Sequence, residues 1–191
     1  MRPIRTIPLR PAFTLVEVLV VVVVMAIAGA VVVPSMLNAS RLGSQGAARQ
    51  LISDILIAQS EAIAAQEPRR IQFWPMDLDG NIVNGYALQD GDGNPLQQRT
   101  RGGGSAPWIM NFDTNETFEG VILERVFPED SSPPATLIEF DDLGSPGAPV
   151  GQTAATTVIL RSDAGRYRVS VAPITGRVTV EELGLGADVD P

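Results

Sequence analysis

The feature that most constrains this chain is an almost unbroken apolar run near its N-terminus. Residues 13–33 contain one charged side chain, Glu17. A helix over this run is long enough to cross the hydrocarbon core of a bilayer, which takes about 20 residues. Three arginines and no acid precede it, and such a positive flank predicts a cytoplasmic N-terminus. We therefore expect a transmembrane segment over residues 13–36, with the rest of the chain on the far side of the membrane.

The composition outside this run excludes most catalytic chemistry. The chain has no Cys, His or Lys, so all 14 of its cationic side chains are arginines. An imidazole base, a thiolate and a lysine amine are therefore absent, and we predict neither enzymatic activity nor a cofactor. The net charge is −8 although the first 12 residues are basic. A body this acidic makes nucleic acid an unfavourable partner, because binding to phosphates requires clustered positive charge.

The apolar run allows three interpretations. A cleaved secretory signal is supported by an A-x-A pattern at residues 26–28, but the run continues beyond that pattern to Val33. An uncleaved anchor explains the length of the run and leaves the carboxylate without a purpose. The third interpretation is a segment whose function requires Glu17.

A helix is expected from near Phe13 to Ala65, with a kink at Pro34 because proline removes a backbone donor. Its second half, residues 37–66, is amphipathic. The apolar stripe consists of Ala48, Leu51, Ile52, Ile55, Ala58, Ala62 and Ile63. Polar residues lie mostly off that stripe, namely Arg49, Asp54, Gln59 and Glu61.

Residues 67–191 are predicted to form an antiparallel β-sheet domain. Alternating or β-branched patterns predict strands at residues 70–74, 85–89, 108–112, 120–127, 136–140, 156–162, 165–172 and 176–182. In the seventh of these, Tyr167, Val169 and Val171 should share one face. Residues 99–107 and 143–155 are rich in Gly, Pro and Ser, and we expect both to be loops.

The segment "AFTLVEVLVVVVVMAIAGAVVVP" resembles the N-terminus of type IV pilins and type II secretion pseudopilins. In that family a basic leader ends at a small residue, usually Gly, followed by Phe-Thr-Leu, an apolar residue, Glu and an apolar helix. Ala12 takes the place of the small residue here, and Pro34 matches a proline common in these helices. The resemblance implies a pilin-like α+β fold. A long N-terminal helix, transmembrane in its first half, then packs on an antiparallel β-sheet domain.

The resemblance also implies processing at the start of the run. A prepilin peptidase would cut between Ala12 and Phe13, which removes residues 1–12 as a leader, and the new Phe13 amine would be methylated. Helical positions four apart share a face, so we expect the Glu17 carboxylate to neutralise this amine or that of a neighbouring subunit. A charge at the bilayer centre costs roughly 2.5–3.5 kcal/mol, which such pairing would offset. The open alternative is that Glu17 reaches water at the interface.

Location and partners follow from the same resemblance. The protein would sit in the inner membrane of a bacterium as a single-pass chain with a periplasmic domain. Its partners would be other pilin or pseudopilin subunits, the prepilin peptidase, the inner-membrane assembly platform and membrane lipid.

The C-terminal pattern from "LIEFDDLGSP" to "GRVTV", together with "SEAIAAQ", is similar to the minor pseudopilins and related minor pilins. We therefore expect a minor structural subunit of a pseudopilus or pilus, at its tip or initiation complex. A membrane-anchored exported domain that never polymerises is the alternative.

A DNA-binding minor pilin is a second alternative. Some members of this branch bind DNA through a Gly-Arg-x-Arg motif, which "GRYR" at residues 165–168 spells with Arg166 and Arg168. Arg177 belongs to "GRVT", where Thr179 replaces the second arginine. In an acidic chain we interpret these arginines as exposed strand residues.

Two acidic turns place oxygen ligands at alternate positions, as a calcium loop does. The candidate ligands are Asp77, Asp79 and Asn81 in the first turn and Asp90, Asp92 and Asn94 in the second. Neither turn has the Gly and Glu that a calcium loop carries at its sixth and twelfth positions. We interpret both as ordinary Asx-rich turns and predict no metal site.

Overall fold

The computed structural model describes residues 13–74, 81–100, 102–118, 120–128, 135–151, 153–163, 165–184 and 186. Residues 31–41 are described by their backbone alone. The chain divides into two compact units, Met1–Met36 and Leu37–Pro191. The second unit contains all the β-strands of the described residues.

Helix α1 spans Leu15–Ala65, so it begins two residues after the expected start at Phe13. Its C-terminal end has the hydrogen bond of a Schellman motif, in which the Glu67 N–H donates to the Ala62 carbonyl at 3.3 Å. Gln66 takes the left-handed position of that motif with φ of 54°. Pro68 follows and cannot continue the helix, so the helix ends where the sequence indicated.

The strands of the domain form two main sheets and one hairpin. The strands are β1 (Arg69–Phe73), β2 (Gly85–Asp90), β3 (Gln97–Arg99), β4 (Ser105–Pro107), β5 (Ile109–Asn111), β6 (Ile122–Phe127), β7 (Leu137–Phe140), β8 (Pro146–Gly147), β9 (Thr157–Ser162), β10 (Gly165–Val171) and β11 (Val178–Leu183). One sheet has the order β5-β2-β1-β7-β8, the other has the order β11-β10-β9-β6, and β3 pairs with β4. All these strand pairs are antiparallel, so the structure confirms the predicted α+β class.

Both main sheets contribute to one hydrophobic core with the second half of α1. The helix supplies Ala47, Ala48, Leu51, Ile55, Ala58 and Ala62 to this core. Five residues of the predicted stripe are thus buried, whereas Ile52 is partly buried and Ile63 is half exposed. On β10 the predicted alternation is confirmed, with Tyr167, Val169 and Val171 facing inward.

The expectation of two long loops was wrong in part. Residues 97–107 form the β3–β4 hairpin, because Gly103 supplies a φ of +81° that closes its turn. Thr100 and Gly104 join the two strands through a backbone hydrogen bond of 2.9 Å. Within residues 143–155 a two-residue strand, β8, pairs with β7. Both pairings are short and carry little apolar signal, so periodicity did not reveal them.

Gly85 is needed for the packing of β2 against β5. A Cβ atom at this position would lie 1.9 Å from the Met110 carbonyl oxygen, which is backbone and cannot move aside by a side-chain rotation. By contrast, a Cβ atom at Gly102 would meet no atom within 4 Å.

We expect Gly85→Ala to lower the free energy of unfolding by about 3 kcal/mol, the upper part of the range for overpacked cores. Urea unfolding of a fragment that begins at Arg41, followed by tryptophan fluorescence, measures this. Gly102→Ala is the matched control and should change stability by less than about 0.5 kcal/mol. Equal stability of the two variants would contradict the close approach of β2 and β5.

Candidate processing and assembly site

Thr14 caps the N-terminus of helix α1. The Glu17 N–H donates to Thr14 Oγ1 at 3.2 Å and to the Thr14 carbonyl at 3.1 Å. The Val18 N–H also donates to that carbonyl, at 3.3 Å. Thr14 therefore satisfies helix N–H groups that would otherwise lack a partner, which is costly in an apolar environment.

Glu17 occupies the third position of the helix and forms a Thr-x-x-Glu pattern with Thr14. In a capping box an acid or amide at this position also reaches back to the backbone of the cap. A carboxylate in the first turn is further stabilised by the positive end of the helix dipole. The capping pattern and the helix dipole thus offer a second reason for an acid at position 17, beside the expected amine pairing.

Phe13 precedes the cap and is not helical in the described structure. The expectation that Phe13 and Glu17 share a helix face therefore does not hold, because only Glu17 is helical. The Phe13 side chain is 75% exposed. For the Phe13 amine and the Glu17 carboxylate to pair, they have to meet across the first turn of the helix, which Thr14 caps.

Every described side chain from residue 13 to residue 30 is exposed. Within the part of the chain that the structure describes, no helix combines the length and apolarity needed to cross a membrane. The transmembrane segment over residues 13–36 stays a prediction.

Two of the predicted site residues cannot be placed. Ala12 lies outside the described residues, as does the rest of the leader. The backbone is helical at Pro34, but its side chain and the expected kink lie outside what the structure describes. Their roles in processing and assembly stay predictions.

Helix α1 carries a buried carboxylate, Asp54, on the face that packs against the sheets. Asp54 was expected off the apolar stripe, yet it is fully buried. The Tyr86 hydroxyl donates to Asp54 Oδ2 at 2.7 Å, and Gln50 Nε2 donates to Oδ1 at 3.1 Å. Trp108 adds a further side-chain hydrogen bond. These donors allow a carboxylate to remain inside the core.

The spacing of Asp54 contained a usable signal. It follows Leu51 by three residues and precedes Ala58 by four, which places it on the buried face. Burial raises the pKa of Asp54, and the hydrogen bonds from Tyr86, Gln50 and Trp108 oppose that rise. Burial and the neighbouring carboxylate also raise the pKa of Tyr86 well above its ordinary value. The Tyr86 hydroxyl therefore stays protonated and donates its hydrogen bond to Asp54 throughout the physiological range.

The candidate DNA-binding arginines lie on the outer face of β10 and contact carboxylates of the same sheet. Arg166 Nη2 lies 2.7 Å from Glu124 Oε1, and Arg168 Nη1 lies 3.6 Å from Glu181 Oε2. Arg161 shares Glu124 at 3.8 Å. The third candidate, Arg177, is exposed in the turn before β11. The first two guanidinium groups thus already have carboxylate partners within the domain, although Arg166 shares Glu124 with Arg161.

The acidic turn at residues 90–94 uses its first carboxylate internally. Asp90 Oδ1 accepts the N–H groups of Asp92 and Asn94 at 3.0 and 2.8 Å, and the Asn94 side-chain amide also donates to Asp90. These hydrogen bonds, led by the one from the Asn94 side chain, lower the pKa of Asp90. Asn81 is exposed, and Asp77 and Asp79 lie outside the described residues. Among the described residues no cluster of three metal-ligating side chains occurs.

One comparison with known proteins concerns the N-terminal segment. Residues 10–33 match the family model of the prokaryotic N-terminal methylation motif. The chain is also similar in structure to the minor pseudopilin EpsH from the Type 2 Secretion System of Vibrio cholerae. That match has 18% sequence identity and a TM-score of 0.39, and it covers 75% of this chain and 98% of that chain. No curated protein is significantly similar in sequence.

The predicted resemblance to type IV pilin-like proteins is thus confirmed at the N-terminus. The match covers the N-terminal segment alone, and the α+β fold is the one that the resemblance implied.

Because burial raises the pKa of Asp54, its contribution to stability is largest when the carboxyl is protonated. That contribution is complete below the unfolded pKa of about 4 and is lost as the pH rises through the higher folded pKa. We expect the difference in unfolding free energy between wild type and Asp54→Asn to fall as the pH rises from 3 to 7. Urea unfolding of the fragment from Arg41 at several pH values measures it. A difference that does not vary with pH would contradict an ionisable, buried Asp54.

Tyr86→Phe, compared with Tyr167→Phe, separates the hydrogen bond from loss of a hydroxyl as such. The Tyr167 hydroxyl is buried without a hydrogen-bond partner among the described residues. Removal of the Tyr86 hydroxyl should cost about 1–3 kcal/mol at neutral pH, because it leaves the Asp54 carboxylate short of a donor. Removal of the Tyr167 hydroxyl should cost nothing measurable.

Proposed function

We propose that this chain is a minor pilin or minor pseudopilin, a structural subunit of a type IV pilus or a type II secretion pseudopilus. It is made as a precursor, cut between Ala12 and Phe13, and methylated on the Phe13 amine. It is held in a bacterial inner membrane by residues 13–36, with its globular domain in the periplasm. From there it is incorporated into the filament, at its tip or initiation complex.

The observation that carries the proposal is an exposed apolar helix segment that begins at a capped Thr-x-x-Glu start within a matched methylation motif. Large side chains such as Leu15, Leu19 and Ile27 are more than half exposed. Burial of one such side chain is worth about 1.5–3 kcal/mol, so a segment of this length has a strong drive to contact lipid or other apolar helices. In a structural subunit that moves from a bilayer into a filament, this segment contacts lipid first and the apolar helices of other subunits afterwards.

Glu17 then has two roles that differ in their need for charge. Its backbone N–H binds Thr14 Oγ1 whatever the side chain is, and glutamine is as good a capping-box residue as glutamate. Neutralisation of the Phe13 amine needs the negative charge, since opposite charges attract strongly where water is excluded. A glutamine substitution therefore removes the pairing and keeps the helix start.

The alternatives are less well supported by the structure. A membrane-anchored domain that never polymerises gives no role to the charge of Glu17. A DNA-binding minor pilin requires free arginines at residues 165–168, and the carboxylates of Glu124 and Glu181 contact Arg166 and Arg168 there.

Processing should leave Phe13 as the N-terminal residue of the mature protein. N-terminal sequencing and intact mass of the protein from a membrane fraction measure this, and methylation should add the mass of one methyl group. An N-terminus at Gly29 would establish ordinary signal-peptidase cleavage after residues 26–28 instead.

We expect Glu17→Gln to be inserted and cleaved as the wild type is, because a neutral amide costs less in lipid than a carboxylate. Its incorporation should fall at least about tenfold, which corresponds to the loss of roughly 1.4 kcal/mol of pairing. Co-purification with the filament or its other minor subunits, beside a blot of the membrane fraction, measures both quantities.

Glu17→Asp is the matched control for charge, since it keeps the carboxylate and shortens its reach by one methylene. It should be incorporated better than Glu17→Gln and less well than wild type. Normal incorporation of Glu17→Gln would overturn the charge pairing and leave the helix cap as the function of this position.

A further inference from the structure

The loop between β5 and β6 contains a sequence motif that has no role in the proposed assembly. Its sequence "DTNET" holds Asn115, Glu116 and Thr117, which form the Asn-x-Ser/Thr acceptor pattern of N-linked glycosylation. Asp113 stands two residues before the asparagine and is exposed. Its Oδ1 accepts a hydrogen bond from Asn84 Nδ2 at 2.7 Å.

The local geometry brings the two reactive positions of this pattern together. Asn115 Oδ1 accepts the Thr117 N–H at 3.0 Å, which folds the side chain of Asn115 toward Thr117. Asn115 Nδ2 contacts Met110 Sδ at 3.7 Å, and a thioether is only a weak hydrogen-bond acceptor. The nitrogen that would carry a sugar is therefore not held by a strong acceptor there.

The surroundings leave room for a bulky group. Asn115 lines an open cavity of about 410 Å³ together with Asn111, Glu116 and Thr117. The last two of these side chains are exposed, and Asn115 itself is partly exposed. The cavity lies beside β5, an edge strand of the five-stranded sheet, so a substituent can leave the surface without disturbing the core.

The chain has a second Asn-x-Ser/Thr pattern that lacks this setting. Asn38, Ala39 and Ser40 lie inside helix α1, where the backbone N–H groups serve the helix and not a side-chain turn. The residue two positions before Asn38 is Met36, which carries no charge. Asn38 therefore serves as an internal comparison for Asn115.

We propose that Asn115 is an N-glycosylation site, modified after the domain reaches the periplasmic side, a step that rests on the proposed topology. The donor is an oligosaccharide linked to a lipid through pyrophosphate, and the catalyst is a membrane oligosaccharyltransferase. Asn115 Nδ2 attacks the anomeric carbon, the bond from that carbon to the pyrophosphate oxygen breaks, and a carbon–nitrogen bond forms. The lipid pyrophosphate leaves and one amide proton passes to a base of the transferase.

A glycan at this position would also fix which surface of the subunit faces solvent. The loop of residues 112–121 has to remain accessible in the assembled filament, since a neighbouring subunit cannot pack closely over an oligosaccharide. The modification thus predicts an outward face for β5 and the adjoining cavity.

The test is mass spectrometry of the full-length protein purified from membranes of the bacterium that encodes it. Trypsin releases residues 102–125 as one peptide, because arginines occupy positions 101 and 125 and no cationic residue lies between them. We expect a glycan mass increment on this peptide, located at Asn115, with sugar fragment ions in its spectrum. Asn111 in the same peptide should be unmodified.

Two substitutions separate the modification from the structural role of Asn115, which also stabilises the 3₁₀ turn Glu116–Phe118. Asn115→Asp keeps an oxygen that accepts the Thr117 N–H and removes the acceptor amide. Thr117→Ala keeps that N–H and removes the hydroxyl. Both should abolish the increment, whereas Thr117→Ser should retain it and Asn38→Gln should leave it unchanged.

Protease treatment of intact spheroplasts in the same samples distinguishes the two proposals. An unmodified peptide from a domain that external protease digests would overturn glycosylation and leave the assembly function standing. An unmodified peptide from a domain that is protected in the cytoplasm would overturn both. A glycan that persists in Asn115→Asp would show that another residue carries it and would overturn the assignment to Asn115.

Discussion

Alanine side chains on one face of helix α1 allow two β-sheets to reach it together. Ala47, Ala48, Ala58 and Ala62 are almost fully buried, and their small size keeps the helix close to the strands. Within that contact Asp54 accepts the Tyr86 hydroxyl from β2. A hydrogen bond weakens steeply away from its preferred distance and angle, so this bond favours one register of the helix along the sheet more sharply than apolar packing does.

Much of this architecture follows from sequence patterns, since long periodic segments have few alternative structures. The helix end at Ala65 and the alternation on β10 depend on local spacing alone, and both were predicted. The division into two sheets depends on which strand pairs with which. The hairpin of residues 97–107 depends on a turn that Gly103 closes, and the burial of Asp54 depends on a tyrosine 32 positions away. Such contacts join residues far apart in the sequence or involve very few residues, so hydrophobic periodicity does not predict them.

The candidate site shows the same division between local and distant information. Glu17 is marked by its position in a matched motif, and its capping geometry with Thr14 could have been predicted from the Thr-x-x-Glu pattern. The pairing of Arg166 with Glu124 joins residues 42 positions apart, and "GRYR" alone gives no sign of it. A cationic motif in a sequence therefore shows that arginines are present, but it does not show whether carboxylates of the same domain already contact them.

The turns at residues 90–94 and 141–145 share one hydrogen-bond pattern, in which an aspartate accepts two backbone N–H groups of its own turn. Such bonds consume acceptor sites but cancel no net charge, so both turns still contribute to the field around the domain. Asp90 keeps its charge further into the acid range, because its pKa is lowered. Identical copies of this domain thus repel one another beyond contact distance, and salt weakens that repulsion over a Debye length of about 8 Å at physiological ionic strength. Ionic strength therefore regulates how closely such acidic surfaces can be placed side by side.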